Sequence, residues 1–159
     1  MKSLSHLTAE GNIAMVDVSE KKSARRFAAA RSIVSLPEIV LNQLKADNMQ
    51  THKGSVFQVA IIAGIMAAKK TGELIPLCHP LGLEDCSITI HLNNQNELVI
   101  DSTACITAKT GVEMEALVGA SIAALTVYDM CKSLSHDIVI KEIKLMEKSG
   151  GKNDFIRSL

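Results

Sequence analysis

The string Thr51-His52-Lys53-Gly54 sets a lysine at the edge of a long apolar run. An ammonium partly desolvated there has a lowered pKa and can exchange a proton near neutrality; fully hydrated, it is an ordinary loop lysine. Further along, Pro76 and Pro80 bracket Cys78-His79 and fix the backbone on both sides of the pair. No companion ligands stand at zinc spacing, so no metal site is expected, and His79 reads either as a ligand contact or as a hydrogen-bonded structural histidine. In Lys109-Thr110-Gly111-Val112-Glu113-Met114-Glu115, Glu113 has the position of a capping-box acid and Glu115 suits a positive helix N-terminus. Asp129 and Lys132, three apart, face each other as a reactive pair or as a plain surface pair. Lys148-Ser149-Gly150-Gly151-Lys152 combines two glycines, whose amides can approach a ligand closely, with flanking positive charge. That suits a phosphate, although the full P-loop pattern is lacking and a flexible tail has the same composition.

These groups need a scaffold, and the hydrophobic pattern supplies one. Ser35 and Glu38 have capping-box spacing with Pro37 between them, and Leu36, Ile39, Val40 and Leu44 then recur at helical spacing, predicting a short helix over 36–46. Residues 55–70 are apolar on every side, the pattern of a buried helix. Cys86, Ile88, Ile90 and Leu92 alternate with polar residues as a half-buried strand; 93–96 is turn-prone, and Leu98 to Ile106 continues as the hairpin partner. A second capping box, Thr110 to Glu113, opens a helix expected to reach about Leu134, and Ile138 to Met146 reads as a last strand before a polar tail. The alanines of 24–34 favour helix by propensity. With 24–34 taken as strand, as the resemblance described below implies, the order β-β-α-α-β-β-α-β implies an antiparallel sheet with helices packed on one face, an α+β arrangement.

Composition narrows the function. A chain of 159 residues, 47% hydrophobic, is sized for a single domain over 1–159 with its own core. Phe27, Phe57, Tyr128 and Phe155 are all the aromatics, too few for the stacking platforms of a single-stranded nucleic-acid binder. The 17 basic and 17 acidic residues cancel, so any anion is gripped locally, and neither nucleic acid nor an anionic membrane is an expected partner. Four cysteines without a C-x-x-C pair, and an N-terminus without a signal-peptide core, point to a cytoplasmic protein with reduced thiols.

The strings MVDVS, HKG, AGIMAAK, LIPLCHPL, KTGVEMEAL, ALTVYDMCK and KSGGK, in this order along nearly the whole chain, resemble the MoaC family of cyclic pyranopterin monophosphate synthases. The resemblance implies a lyase that converts 3′,8-cyclo-7,8-dihydroguanosine 5′-triphosphate to cyclic pyranopterin monophosphate and pyrophosphate in molybdenum cofactor biosynthesis. It implies a ferredoxin-like α+β fold, in which 24–34 is a strand, and a homohexamer built as a trimer of dimers. The family's catalytic positions fall on Asp129, Lys53 and Lys132, and its substrate contacts on Leu77, Cys78, His79, Met114 and Glu115. Arg26, Glu113, Lys148 and Lys152 fall on further polar or basic positions of the pocket. Ser55 stands where relatives usually have aspartate, and Asn153 where they usually have glycine. No redox cofactor is implied, and Mg²⁺ could accompany the triphosphate without a dedicated protein site. Other readings of the same groups are a non-catalytic nucleotide-binding module and a different cyclohydrolase or triphosphate lyase.

One helix would carry Glu115 near its start and Asp129 near its end, about 21 Å apart by helical rise. Two such helices packed antiparallel on a stripe of Ala116, Ala120, Ala123 and Ala124 would bring the two ends together, so the active site is expected to be shared between two chains.

Overall fold

Alanine and serine, rather than branched side chains, line the middle of the sheet. The computed structural model describes residues 6–8, 10–52 and 54–158. Its first long strand is β1 (Ala24–Ser35), so the alanine run is extended, not helical. There follow α1 (Glu38–Ala46), the short strands β2 (Gln50–Thr51) and β3 (Gly54–Ser55), α2 (Val56–Ala68) and a single turn α3 (Thr71–Leu74). The hairpin β4 (Asp85–Leu92) and β5 (Leu98–Ala108), the helix α4 (Glu113–Cys131), β6 (Val139–Ser149) and β7 (Phe155–Ile156) complete the chain. The main sheet has the order β4-β5-β1-β6-β7 with every pairing antiparallel. Its four long strands and the helices α2 and α4 make the split βαβ pattern of ferredoxin-like proteins, as the resemblance implies. Among the described residues only one strand precedes the first helix, where the pattern suggests two; ahead of it stands an isolated bridge, Leu7 with Ile13.

On the helix-facing side of the sheet, Ala28, Ala30, Ser32, Ser102 and Ala104 are almost fully buried. Small side chains there let α4 lie close on the strands. A Cβ on Gly119 would stand 2.6 Å from Ser102 Oγ, and one on Gly64 would stand 2.7 Å from the Gly119 carbonyl, so α2 and α4 cross at two glycines. Val34, Val40, Leu44, Val56, Leu98, Ile100 and Val127 form the larger core beneath. Burying each side chain of this size contributes about 1.5–3 kcal/mol.

Four expectations need correction. Ser35 does not cap α1: it closes β1 opposite Val139, and Pro37 takes the cap position without a side-chain hydrogen bond. The second capping box is also unformed; Val112 precedes α4, and the Glu113 side chain turns to Lys148 instead. In α2 only the row Val56, Ala60, Gly64 and Ala68 is buried, while Val59, Ile62 and Met66 are 37%, 58% and 53% exposed. Ser55, the departure noted above, caps α2 by accepting from Gln58 N at 3.4 Å. The helix α4 ends at Cys131, short of Leu134. It is long and apolar enough to cross a bilayer, but ten of its residues are buried under the sheet and α2, as in the core helix of a globular fold.

Candidate functional site

The strand ends of β1, β5 and β6 meet the start of α4 around a cleft of about 450 Å³. Six cations, Lys21, Lys22, Arg26, Lys109, Lys148 and Lys152, line it with Phe27, Thr110, Gly111, Ser149, Gly150, Gly151 and a single acid, Glu113. Charge so unbalanced in a neutral chain fits a ligand carrying several negative charges, and the positive end of α4 adds to it.

Arg26 is held in place by backbone carbonyls. Its Nε donates to Ala108 O at 3.2 Å, Nη2 to Lys109 O at 3.5 Å and Nη1 to Gly150 O. It thereby ties the loop before α4 to the loop after β6. The latter is not a loose tail. Gly150 adopts φ +82°, a Cβ there would run into the Arg25 carbonyl, and its amide donates to Asp154 Oδ1 at 3.1 Å. The Gly150 amide is thus spent on Asp154, and Lys148 and Lys152 supply this loop's charge. After the loop β7 returns, pairing Phe155 with Lys148. Lys148 Nζ lies 3.0 Å from Glu113 Oε1.

Glu115, two residues on, turns inward. It is 3% exposed and borders a small cavity of about 70 Å³ with Gly72, Pro80 and Leu81. Burial pushes its carboxyl pKa up; a hydrogen bond from its own backbone amide works against this, and the neighbouring Glu113 adds to the rise. Cys78 is near enough to feel that charge; burial first, then Glu115, raises its thiol. His79 lies half-buried with its Nε2 2.9 Å from Val16 O, which draws the N-terminal segment onto this cluster. Leu77 and Met114 are half-buried alongside, in the Pro76–Pro80 loop and the first turn of α4.

Two further candidates are elsewhere. Asp129 and Lys132 form an ion pair of 2.7 Å on the surface at the far end of α4, and hydrogen bonding to Asp129 raises the Lys132 pKa. Fourteen residues of helix separate Glu115 from Asp129, about 21 Å at about 1.5 Å per residue. Lys53 lies outside the described residues; its neighbours Thr51 and His52 border a cavity of about 160 Å³ at that same far end, beside Met130 and Ser133. The alanine stripe cannot join two copies of α4, because Ala116, Ala120, Ala123 and Ala124 are all 0% exposed within the protomer.

Lys21, Lys22 and Lys109 are cleft cations whose role the sequence does not mark. The first two stand in a stretch with no periodic pattern, and Lys109 was overshadowed by the acids that follow it. Among the described residues no three His, Cys, Asp or Glu side chains cluster in a way that could hold a metal ion, and all four cysteines are free thiols.

Fold and cleft together define an α+β protein with a polycationic pocket at the mouth of its sheet. The chain belongs to the MoaC family, whose model matches residues 15–151. That range takes in every candidate residue but Lys152. The chain is 50% identical over 151 residues to a cyclic pyranopterin monophosphate synthase of Xanthomonas campestris pv. campestris (strain B100), covering 95% of this chain and 92% of that protein. It is similar also to molybdenum cofactor biosynthesis protein 1 of Drosophila melanogaster, 50% identical over 155 residues, and of Dictyostelium discoideum, 45% identical over 166 residues. The matched segment covers 97% and 94% of this chain but only 27% and 26% of those two proteins.

Proposed function

We propose that the chain is a cyclic pyranopterin monophosphate synthase of molybdenum cofactor biosynthesis, a lyase that takes 3′,8-cyclo-7,8-dihydroguanosine 5′-triphosphate to cyclic pyranopterin monophosphate and pyrophosphate. The observation that carries this reading is the cleft with six cations and one acid, in a chain half identical to a synthase over nearly its full length. Expelling pyrophosphate places negative charge on the leaving group, and pre-positioned cations stabilise it as it forms. Rearranging the purine moves protons on and off nitrogen and oxygen, which calls for an acid–base set. Lys53 and Asp129 fill that role. Lys132, kept protonated by Asp129, contributes charge and tunes its partner. Arg26, Lys148 and Lys152 hold phosphates, with Glu113 beside Lys148 in the same cleft; His79 and Glu115 orient the base, and Leu77, Cys78 and Met114 contact the substrate. Mg²⁺ travels with the triphosphate, and no redox cofactor takes part.

The phosphate grip and Asp129 stand at opposite ends of α4, too far apart for one ligand within a protomer. The working site is composite, formed where the start of α4 in one subunit meets the end of α4 in another, within a cytoplasmic homohexamer built from dimers. The outward apolar row of α2, Val59, Ile62 and Met66, supports such an assembly and replaces the alanine stripe as its contact.

Incubating the protein with the cyclised GTP intermediate tests the reading. Pyrophosphate and a pterin product are expected in equal amounts; binding without turnover would leave a nucleotide-binding module, and a different product would leave another lyase.

A further inference from the structure

Residues 14–23, before β1, form no helix or strand, yet they are tied down at two points. His79 Nε2 meets Val16 O at 2.9 Å, and Lys109 Nζ donates to Ser19 O at 2.7 Å. Between these anchors the chain turns on itself: Ser19 N donates to Asp17 Oδ1 at 2.8 Å and Lys21 N to Val18 O at 3.0 Å. Past Glu20, the side chains of Lys21 and Lys22 line the cleft. Lys109 is itself held from behind, since its carbonyl accepts from Arg26. A line of hydrogen bonds therefore runs from the sheet through Arg26 and Lys109 to the strap that delivers two cations.

We infer that Lys109 is a positioning residue: it holds the 16–22 strap against the cleft and acts on the anionic ligand through Lys21 and Lys22 rather than as an independent phosphate contact. Its ammonium is committed to a carbonyl, whereas no hydrogen bond within the described residues commits Lys21 Nζ or Lys22 Nζ. The inference rests on the cleft as a triphosphate site, but its readouts do not require turnover.

Lys109 is exposed, so Lys109→Met should leave the fold intact. Hydrogen exchange of the unliganded protein and calorimetric binding of inorganic triphosphate then decide. In Lys109→Met the amides of Ser19 and Lys21 should exchange about tenfold faster or more, and triphosphate should bind about tenfold more weakly. Adding Lys109→Met to Lys21→Met/Lys22→Met should weaken binding little further, because a residue acting through others is not additive with them. Lys109→Arg should restore both signals, and Lys141→Met, which removes an equal charge from the far part of β6, should change neither. Unchanged exchange, full additivity, or an equal loss in Lys141→Met would each overturn the inference. Absence of pyrophosphate release from the cyclised substrate, with the exchange result intact, would count against the enzymatic reading alone.

Discussion

Glu113 and Lys148, 35 residues apart in sequence, meet across the cleft at 3.0 Å. The acid neutralises one of the cations a triphosphate would use, so the ligand must compete with a carboxylate already in place. In Glu113→Gln inorganic triphosphate should bind several-fold more tightly at low salt, and in Lys148→Ala several-fold more weakly. Titration calorimetry of both variants checks this; weaker binding in Glu113→Gln would show that the pair shapes the cleft rather than masking it.

Groups that move protons act in the transition state. Lys53→Ala and Asp129→Ala should each lower turnover by roughly 10²-fold or more. Lys148→Ala should chiefly raise KM, since a phosphate clamp gives most of its energy to binding. Steady-state kinetics on the cyclised substrate separates the two classes, and near-normal kcat in both of the first variants defeats the assignment.

A composite site makes a sharper demand. Glu115→Ala and Asp129→Ala chains, each inactive alone, should regain activity on mixing with subunit exchange, because some mixed dimers hold one intact site. No recovery, with exchange demonstrated by mass spectrometry of labelled chains, would place both ends of α4 in separate roles.

Glu115 should also give stability a pH dependence. Its carboxyl pKa is raised above the ordinary 4.5, mainly by burial, so the native state favours the proton more than the unfolded chain does. That contribution is complete below about pH 4.5 and is lost as pH climbs through the raised native value. Glu115→Gln, which mimics the protonated form, should therefore gain in Tm relative to the parent between pH 4.5 and 8 and show no such gain below. A Tm difference that stays flat across the range would argue that the carboxylate is compensated in the fold.

The β4–β5 hairpin was legible in sequence because alternation and a polar turn fix both face and register; Leu92 pairs with Leu98 across the anticipated turn. The long helix α4 was legible as well, but not its cap. Thr110 and Glu113 have the right spacing, yet the nearby Lys148 outbids a backbone amide for the carboxylate, and that neighbour comes from β6. The all-round apolar character of α2 told only that its surface avoids water; periodicity cannot say whether the cover comes from its own chain. The alanines of β1 favour helix by propensity, which weighs the residue alone, and only the family resemblance made the segment a strand; here small size is what lets α4 lie on it. Of the cleft, the Lys148–Lys152 loop was visible as glycines between charges. Lys21 and Lys22 were not, since their place depends on two contacts to distant residues, His79 and Lys109.

The outward row of α2 has a practical consequence. Val59, Ile62 and Met66 contribute little to the protomer's interior, so they are open to polar replacement with small cost to the fold. If the proposed composite site is right, chains solubilised there should run as single subunits that keep the cationic mouth but lack a neighbour's proton-handling end. Such an engineered half-enzyme would capture the substrate and hold it unreacted, a reagent for trapping a labile intermediate intact.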